Sequence, residues 1–283
     1  PAQAAGMGDK PKIGMQMWFE TPAFLVDWFR KMNARFELVA SDPVMDALRL
    51  VKEPEEVERL AEAQRIAGLG MDRARELLKP GATAHQLATE ALYTMMKAGA
   101  EGTSTPLHVN IGIDTCMIHG RMSPHPVEEG DLVVIDLTPQ VEGYGANLAR
   151  TFVAGEPDDT QRRLLQAYAE MVEATRDMMV PGIKVRDLDA RGKEICEARG
   201  LGEYHLEGIA HGIGLRFEEK PASTIIKHHR NVELQAGMTM AMGHTVLAIP
   251  GFGGVRNEDL YLITPDGGQI LAPYPTSFEL LAE

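Results

Sequence analysis

The grammar of residues 71–100 returns at 172–201, and this doubling restricts the chain to folds built from two similar halves. Pro80-Gly81 falls on Pro181-Gly182, Leu87 on Leu188 and Gly99 on Gly200. The segments that follow also match. Gly130-Asp-Leu-Val-Val-Ile-Asp136 aligns with Gly237-Met-Thr-Met-Ala-Met-Gly243, and Gly143-Tyr-Gly145 with Gly251-Phe-Gly253. Proline and glycine stop helices, and glycines around an aromatic residue mark a hairpin. Each half therefore reads as two helices followed by a β-meander, an α+β unit used twice.

Local signals place the helices. Pro54-Glu-Glu56 opens one, with proline in the first turn and acids on the positive end of the dipole. Its apolar face runs through Val57, Leu60, Ala61, Ala67 and Met71. Thr83 and Gln86 have capping-box spacing ahead of Leu87, Ala91, Leu92 and Met95. Asp158-Asp-Thr160 starts the equivalent helix of the second half, with Leu164, Leu165, Tyr168, Met171 and Val172 on one face. Residues 1–49 stand apart from this scheme. They carry a helical pattern (Phe24, Leu25, Trp28, Phe29, Met32) and a strand-like Phe36-Glu-Leu-Val39, neither with an obvious partner in the first fifty residues. They read as the remnant of an N-terminal domain and linker ahead of a 50–283 domain. The opening on Pro1 rather than Met fits a fragment or a processed form.

A net charge of −13 over 283 residues excludes a phosphate-tracking nucleic-acid surface, which needs clustered Lys and Arg. No run of eighteen apolar residues offers a membrane span. Cys116 and Cys196 are too few for a disulfide framework and read as small packed hydrophobes, so a cytoplasmic setting is expected. The methionines of Met238-Thr-Met-Ala-Met242 read as adaptable core filler. His228-His229-Arg230 reads as a solvated turn, and Glu218-Glu219 as facing solvent or a bound cation.

Chemistry-bearing residues fall at strand ends and turns: His119, Asp136, His211 in His211-Gly-Ile-Gly214, and Glu258 in Gly254-Val-Arg-Asn-Glu-Asp259. A carboxylate closing an apolar strand must be paired, metal-bound or solvated, because isolated burial costs several kcal/mol. With Leu78-Lys-Pro-Gly81 and Gly143-Tyr-Gly145, these strings resemble the creatinase, prolidase, aminopeptidase P and methionine aminopeptidase superfamily over about residues 50–270.

The resemblance implies the pita-bread fold, a curved and mostly antiparallel sheet covered by helices, and hydrolase chemistry. It also implies a two-metal site of two Asp, one His and two Glu. Asp136, His211 and Glu258 match that pattern. The second Asp falls on Asn147, the first Glu on Gly243, and a second family His on Glu218. His119 matches the histidine that handles a proton near the scissile bond, while Glu218, Arg256 and His108 are expected to touch substrate. His119, His211 and Glu258 are thus the expected catalytic residues, and Asp136, His211 and Glu258 a vestigial metal set. Two carboxylates leave a pair of dications with about two uncompensated charges. No cofactor is therefore expected, or at most one weakly held Mn, Zn or Co ion. Reverting Asn147→Asp and Gly243→Glu together is expected to restore metal affinity, provided the pocket has kept its volume.

The function expected is metal-poor hydrolysis of a C–N bond in a small molecule or short peptide, as in creatinase. One alternative is a silent family member that binds a peptide or protein ligand. The other is a Xaa-Pro peptidase using one weak ion. The resemblance also implies a homodimer, with Trp18, Phe19, Trp28 and Phe29 needing cover. Asp136 and Glu258, if close, should drive one carboxyl upward and make it a general acid.

Overall fold

The computed structural model describes residues 10–16, 21–33 and 35–277; Trp18 and Phe19 lie outside the described residues. The chain divides into two units between Arg49 and Leu50. In the first, β1 (Lys12–Met15) and β2 (Glu37–Ala40) pair in parallel, with α1 (Ala23–Met32) as the crossover and α2 (Asp42–Leu50) following. The strand at 37–40 thus has the partner that the sequence did not reveal. On α1, Phe24, Leu25, Trp28 and Met32 are exposed.

In the second unit, α3 (Pro54–Leu77) starts where the Glu56 carboxylate accepts the Glu53 N–H at 2.8 Å. It packs on α4 (Ala84–Lys97), whose Thr83 hydroxyl accepts the Gln86 N–H at 3.2 Å. Leu60, Ala67, Met71, Leu87, Ala91 and Met95 are buried as the periodicity requires, but Leu92 is exposed. Short β3 (Gly102–Thr103) leads to β4 (His108–Ile111), β5 (Leu132–Leu137), β6 (Pro139–Val141), β7 (Tyr144–Gly145) and β8 (Leu148–Val153). Strands β4, β5 and β8 form an antiparallel sheet beneath the two helices.

The second half repeats this order. A full capping box between Asp158 and Gln161 starts α5 (Asp159–Arg176), and α6 (Val185–Ala198) lies beside it. Then come β9 (Ala210–Gly212), β10 (Thr239–Met242), β11 (Leu247–Ile249), β12 (Gly253–Val255), β13 (Asp259–Thr264) and β14 (Gly267–Ile270). The antiparallel order β9-β10-β13 mirrors β4-β5-β8, with β14 added at the edge. The helix-ending turns are equivalent in detail: Gly81 N–H donates to Val127 O and Gly182 N–H to Leu234 O, each at 2.8 Å. Each half has its own core, and Met238, Met240 and Met242 are buried in the second as filler. The sheets meet where Glu258 N–H donates to Ala149 O (2.9 Å) and Ala149 N–H to Glu258 O (3.1 Å). This is the pita-bread α+β architecture. No helix among the described residues is long and apolar enough to cross a membrane.

Candidate active site

The seam between the sheets gathers the strand-end residues. Asp136 lies near the end of β5, and Gly243 follows β10 at the position that the repeat makes equivalent. Asn147 directly precedes β8, and Glu258 directly precedes β13, a second equivalent pair. Each pair keeps one carboxylate, so one acid comes from each half. Asp136, Asn147, His211 and Glu258 are all fully buried.

Both carboxylates are bonded from within. The Asn147 amide nitrogen donates to Asp136 Oδ1 at 3.1 Å and to Glu258 Oε2 at 3.0 Å. The opposite amide orientation would aim an oxygen at two carboxylates, so this one is required. Arg256, buried and carried on the segment between β12 and β13, places Nη1 3.0 Å from Asp136 Oδ2, and its Nη2 donates to Glu258 Oε2. Arg256 was expected to touch substrate; its guanidinium is instead the cation between the two acids. Gly243 contributes no ligand, and its backbone forbids one. With φ at +97°, a Cβ there would collide with the Asn257 carbonyl oxygen and sit 3.0 Å from the carbonyl carbon.

His211 completes the charge balance. Its Nδ1 lies 3.0 Å from Gly212 O, which accepts only if Nδ1 carries a proton, so Nε2 faces Glu258 Oε1 at 3.4 Å. Burial alone would lower the His211 pKa, but the Glu218 and Glu258 carboxylates outweigh it and raise it. Burial pushes Glu258 up, yet Arg256, His244 and His211 hold it well below the carboxylate range. Asp136 goes the other way: burial raises it more than Arg256 lowers it, with Glu258 adding to the rise. The upward member of the pair is therefore Asp136, sealed beneath Arg256 and out of reach as a general acid. With Asp136, Glu258 and His211 ionised, the quartet with Arg256 is neutral.

A pH test follows from the raised His211 value. Its protonation contributes stability that is fully present below the ordinary histidine value of 6.5 and is lost as pH rises through the higher folded value. The difference in urea midpoint between the native chain and a His211→Gln variant should narrow as pH rises above the ordinary histidine value of 6.5. A difference that is flat with pH would mean a neutral His211.

Above this core lies a set of imidazoles. His244 is the hub, with ring centroids 4.8 Å from His211 and 5.1 Å from His119. His119 stacks on His108 at 5.4 Å, and Phe217 packs against both His119 (6.1 Å) and His211 (5.3 Å). His108 Nδ1 is tied to Gly120 O at 2.9 Å. His244 Nδ1 stands 3.2 Å from both Glu258 Oε1, an acceptor, and Arg256 Nη2, a donor. Either tautomer of His244 therefore finds a partner. Burial first, then His244, Arg256 and His108, push His119 down to about 3, although solvent reaches part of the residue.

Two surface assignments need correction. Glu218 and Glu219 are buried rather than solvated; the cation that Glu219 meets is the buried Lys52 ammonium, at 2.5 Å. Glu218 Oε1 lies 3.8 Å from His244 Nε2, and its Oε2 accepts the Thr224 hydroxyl. His229 is also buried, its Nδ1 accepting the Ala222 N–H at 3.1 Å. Sequence reasoning did not place His244 among the site residues, although it directly follows Gly243 at the end of an apolar strand. It also missed the supports of His244. Tyr168 Oη is 2.6 Å from the carbonyl oxygens of both Gly243 and Thr245, and Asp189 accepts the Gly208 and Ile209 N–H groups.

Comparison with known proteins agrees with this architecture. The model of metallopeptidase family M24 matches residues 58–265. The Xaa-Pro dipeptidase of Pyrococcus furiosus is 32% identical over 257 residues, covering 91% of this chain and 72% of that protein. The solved prolidase from the same organism superposes with a TM-score of 0.85 at 29% identity, over 94% of this chain and 77% of the other. The prolidase of Pyrococcus horikoshii OT3 gives 0.86 at 28% identity, over 96% and 77%. The doubled scaffold and these likenesses agree, and the chain belongs to metallopeptidase family M24, as a hydrolase.

Proposed function

We propose that this hydrolase cleaves a C–N bond in a short peptide or small molecule by acid–base chemistry on its histidines, with an internal guanidinium where the family holds its metal pair. The supporting observation is the bonding of the two remaining acids. Asp136 and Glu258 each bind both Asn147 and Arg256, and Gly243 has no room for a ligand. Two dications would have to displace a guanidinium from a buried, already neutral set, so the residues present do not fit a dinuclear centre. The relatives named Xaa-Pro dipeptidase favour a short peptide as substrate.

In this reading His119 is the proton carrier. Its lowered pKa keeps it neutral near pH 7, so it acts first as a base. It takes a proton from the water that attacks the carbonyl carbon. It then returns that proton to the nitrogen as the C–N bond breaks. His211 and Glu258 position His244, whose Nε2 lies toward Glu218 and can donate to substrate in the tautomer that accepts from Arg256. Glu218 lies beside His244, and His108 stacks on His119.

The test is turnover of Xaa-Pro dipeptides and creatine by chelator-stripped protein. Turnover should survive chelation and fall about 10²–10⁴-fold in a His119→Ala variant, the range of one general acid–base group. No acid limb should appear between pH 7 and about 5, because His119 titrates lower. Turnover that returns only with added Mn or Co would favour an ordinary metallopeptidase, and peptide binding without turnover a silent binder.

A further inference from the structure

We propose that His119, Glu218 and His244 form a site for one divalent transition-metal ion, zinc foremost, and that filling it switches the enzyme off. One nitrogen from each histidine and one Glu218 oxygen lie within 4.8 Å of one another. Zinc holds His nitrogen and carboxylate oxygen at about 2.0–2.2 Å, so ligand atoms around one ion stand roughly 3.3 Å apart in a tetrahedron. The His244 Nε2 to Glu218 Oε1 distance of 3.8 Å is already near that figure. Closing the trio takes side-chain shifts on the order of 1 Å.

Each ligand is prepared for the role. His119 carries no hydrogen bond on its ring nitrogens among the described residues. Thr224 anchors Glu218 Oε2 and leaves Oε1 on the side of His244 Nε2, 3.8 Å away. In His244, a proton on Nδ1 has Glu258 Oε1 as its acceptor at 3.2 Å, which frees the Nε2 lone pair for a metal. A carboxylate behind a ligating histidine is the usual outer support of a zinc site. The fourth position stays open to water.

A second trio, His211, His244 and Glu258, has similar spacing but not similar chemistry. There the Arg256 guanidinium stands 3.2 Å from His244 Nδ1 and bonds Glu258, so a dication would meet a fixed positive charge. The outer trio uses His244 through Nε2, the nitrogen turned from that guanidinium toward Glu218, and solvent reaches His119 and screens the ion's excess charge.

The inhibitory consequence rests on the proton-carrier reading of His119, since a metal on its lone pair removes the base; binding itself does not depend on it. Chelator-stripped protein titrated with zinc alone, followed by calorimetry, should take up one equivalent at micromolar Kd or tighter. Both His119→Ala and Glu218→Gln should weaken this at least tenfold, with circular-dichroism melts checking that each variant folds. Cobalt(II) in place of zinc should give the intense visible bands of a tetrahedral site. Saturating zinc should abolish turnover, and chelator should restore it. No uptake, or uptake unchanged in both variants, overturns the site. Uptake with increased turnover keeps the site but overturns the switch, and with it the role of His119 as proton carrier.

Discussion

Replacing Arg256 with methionine should lower the melting temperature by on the order of 10 °C and let a divalent cation bind between Asp136 and Glu258, where the native chain holds a guanidinium. The residue is fully buried between Asp136 and Glu258, neither of which water can reach. Methionine keeps much of the volume and removes the charge, so any loss reports electrostatics more than packing. Removing one partner of a buried ionic set typically costs about 3–5 kcal/mol. At roughly 2–4 °C per kcal/mol for a chain of this size, that is a large shift. The variant also exposes two adjacent acids and His211 to any cation that enters. Manganese should therefore raise the melting temperature of the variant more than that of the native protein. A fall of under about 3 °C, or equal manganese effects on both proteins, would show that Arg256 is not the cation of this core.

Asn147→Asp with Gly243→Glu should fail to build a metal site, and Gly243 is the reason. The expectation that Asn147→Asp with Gly243→Glu would rebuild a metal site required free volume at 243. That volume is filled by backbone: the Cβ position overlaps the Asn257 carbonyl, and φ of +97° is a region that side chains rarely adopt. Gly243→Ala alone should cost about 2–5 kcal/mol, combining backbone strain with the collision. The double variant should be less stable still, because aspartate at 147 turns a donor to two carboxylates into a third negative charge. Urea midpoints and elemental analysis of bound metal check both statements. A folded double variant holding two equivalents of manganese would defeat them.

The repeat was legible because its signals are local. Helix-ending Pro-Gly pairs, capping residues and apolar strands of equal length each act within a few residues, and all of them recur. Asp136, His211 and Glu258 were legible for a related reason, being polar residues in segments otherwise committed to burial. The role of Arg256 was not. Whether its guanidinium meets substrate or turns inward depends on how two strands from different halves face each other. Nor does sequence disclose that Lys52, 167 residues before Glu219, covers that acid. The sign of φ at Gly243 and the carbonyl lying against it are equally invisible, since glycine reads alike in a turn and at a close approach. His244 stayed hidden because a histidine gains its role only from the groups that its two nitrogens meet.

The seam between the halves has a consequence for the order of folding. Asp136 belongs to the first half, Arg256 and Glu258 to the second, and Asn147 joins both acids. While only one half is structured, its acid stays hydrated and charged, with no incentive to leave water. Docking alone makes desolvation tolerable, because each half brings what the other must neutralise. The ionic core thus acts as a checkpoint on assembly, and histidines gathered from both halves meet one another only after it has closed. A partly folded chain is chemically silent by construction.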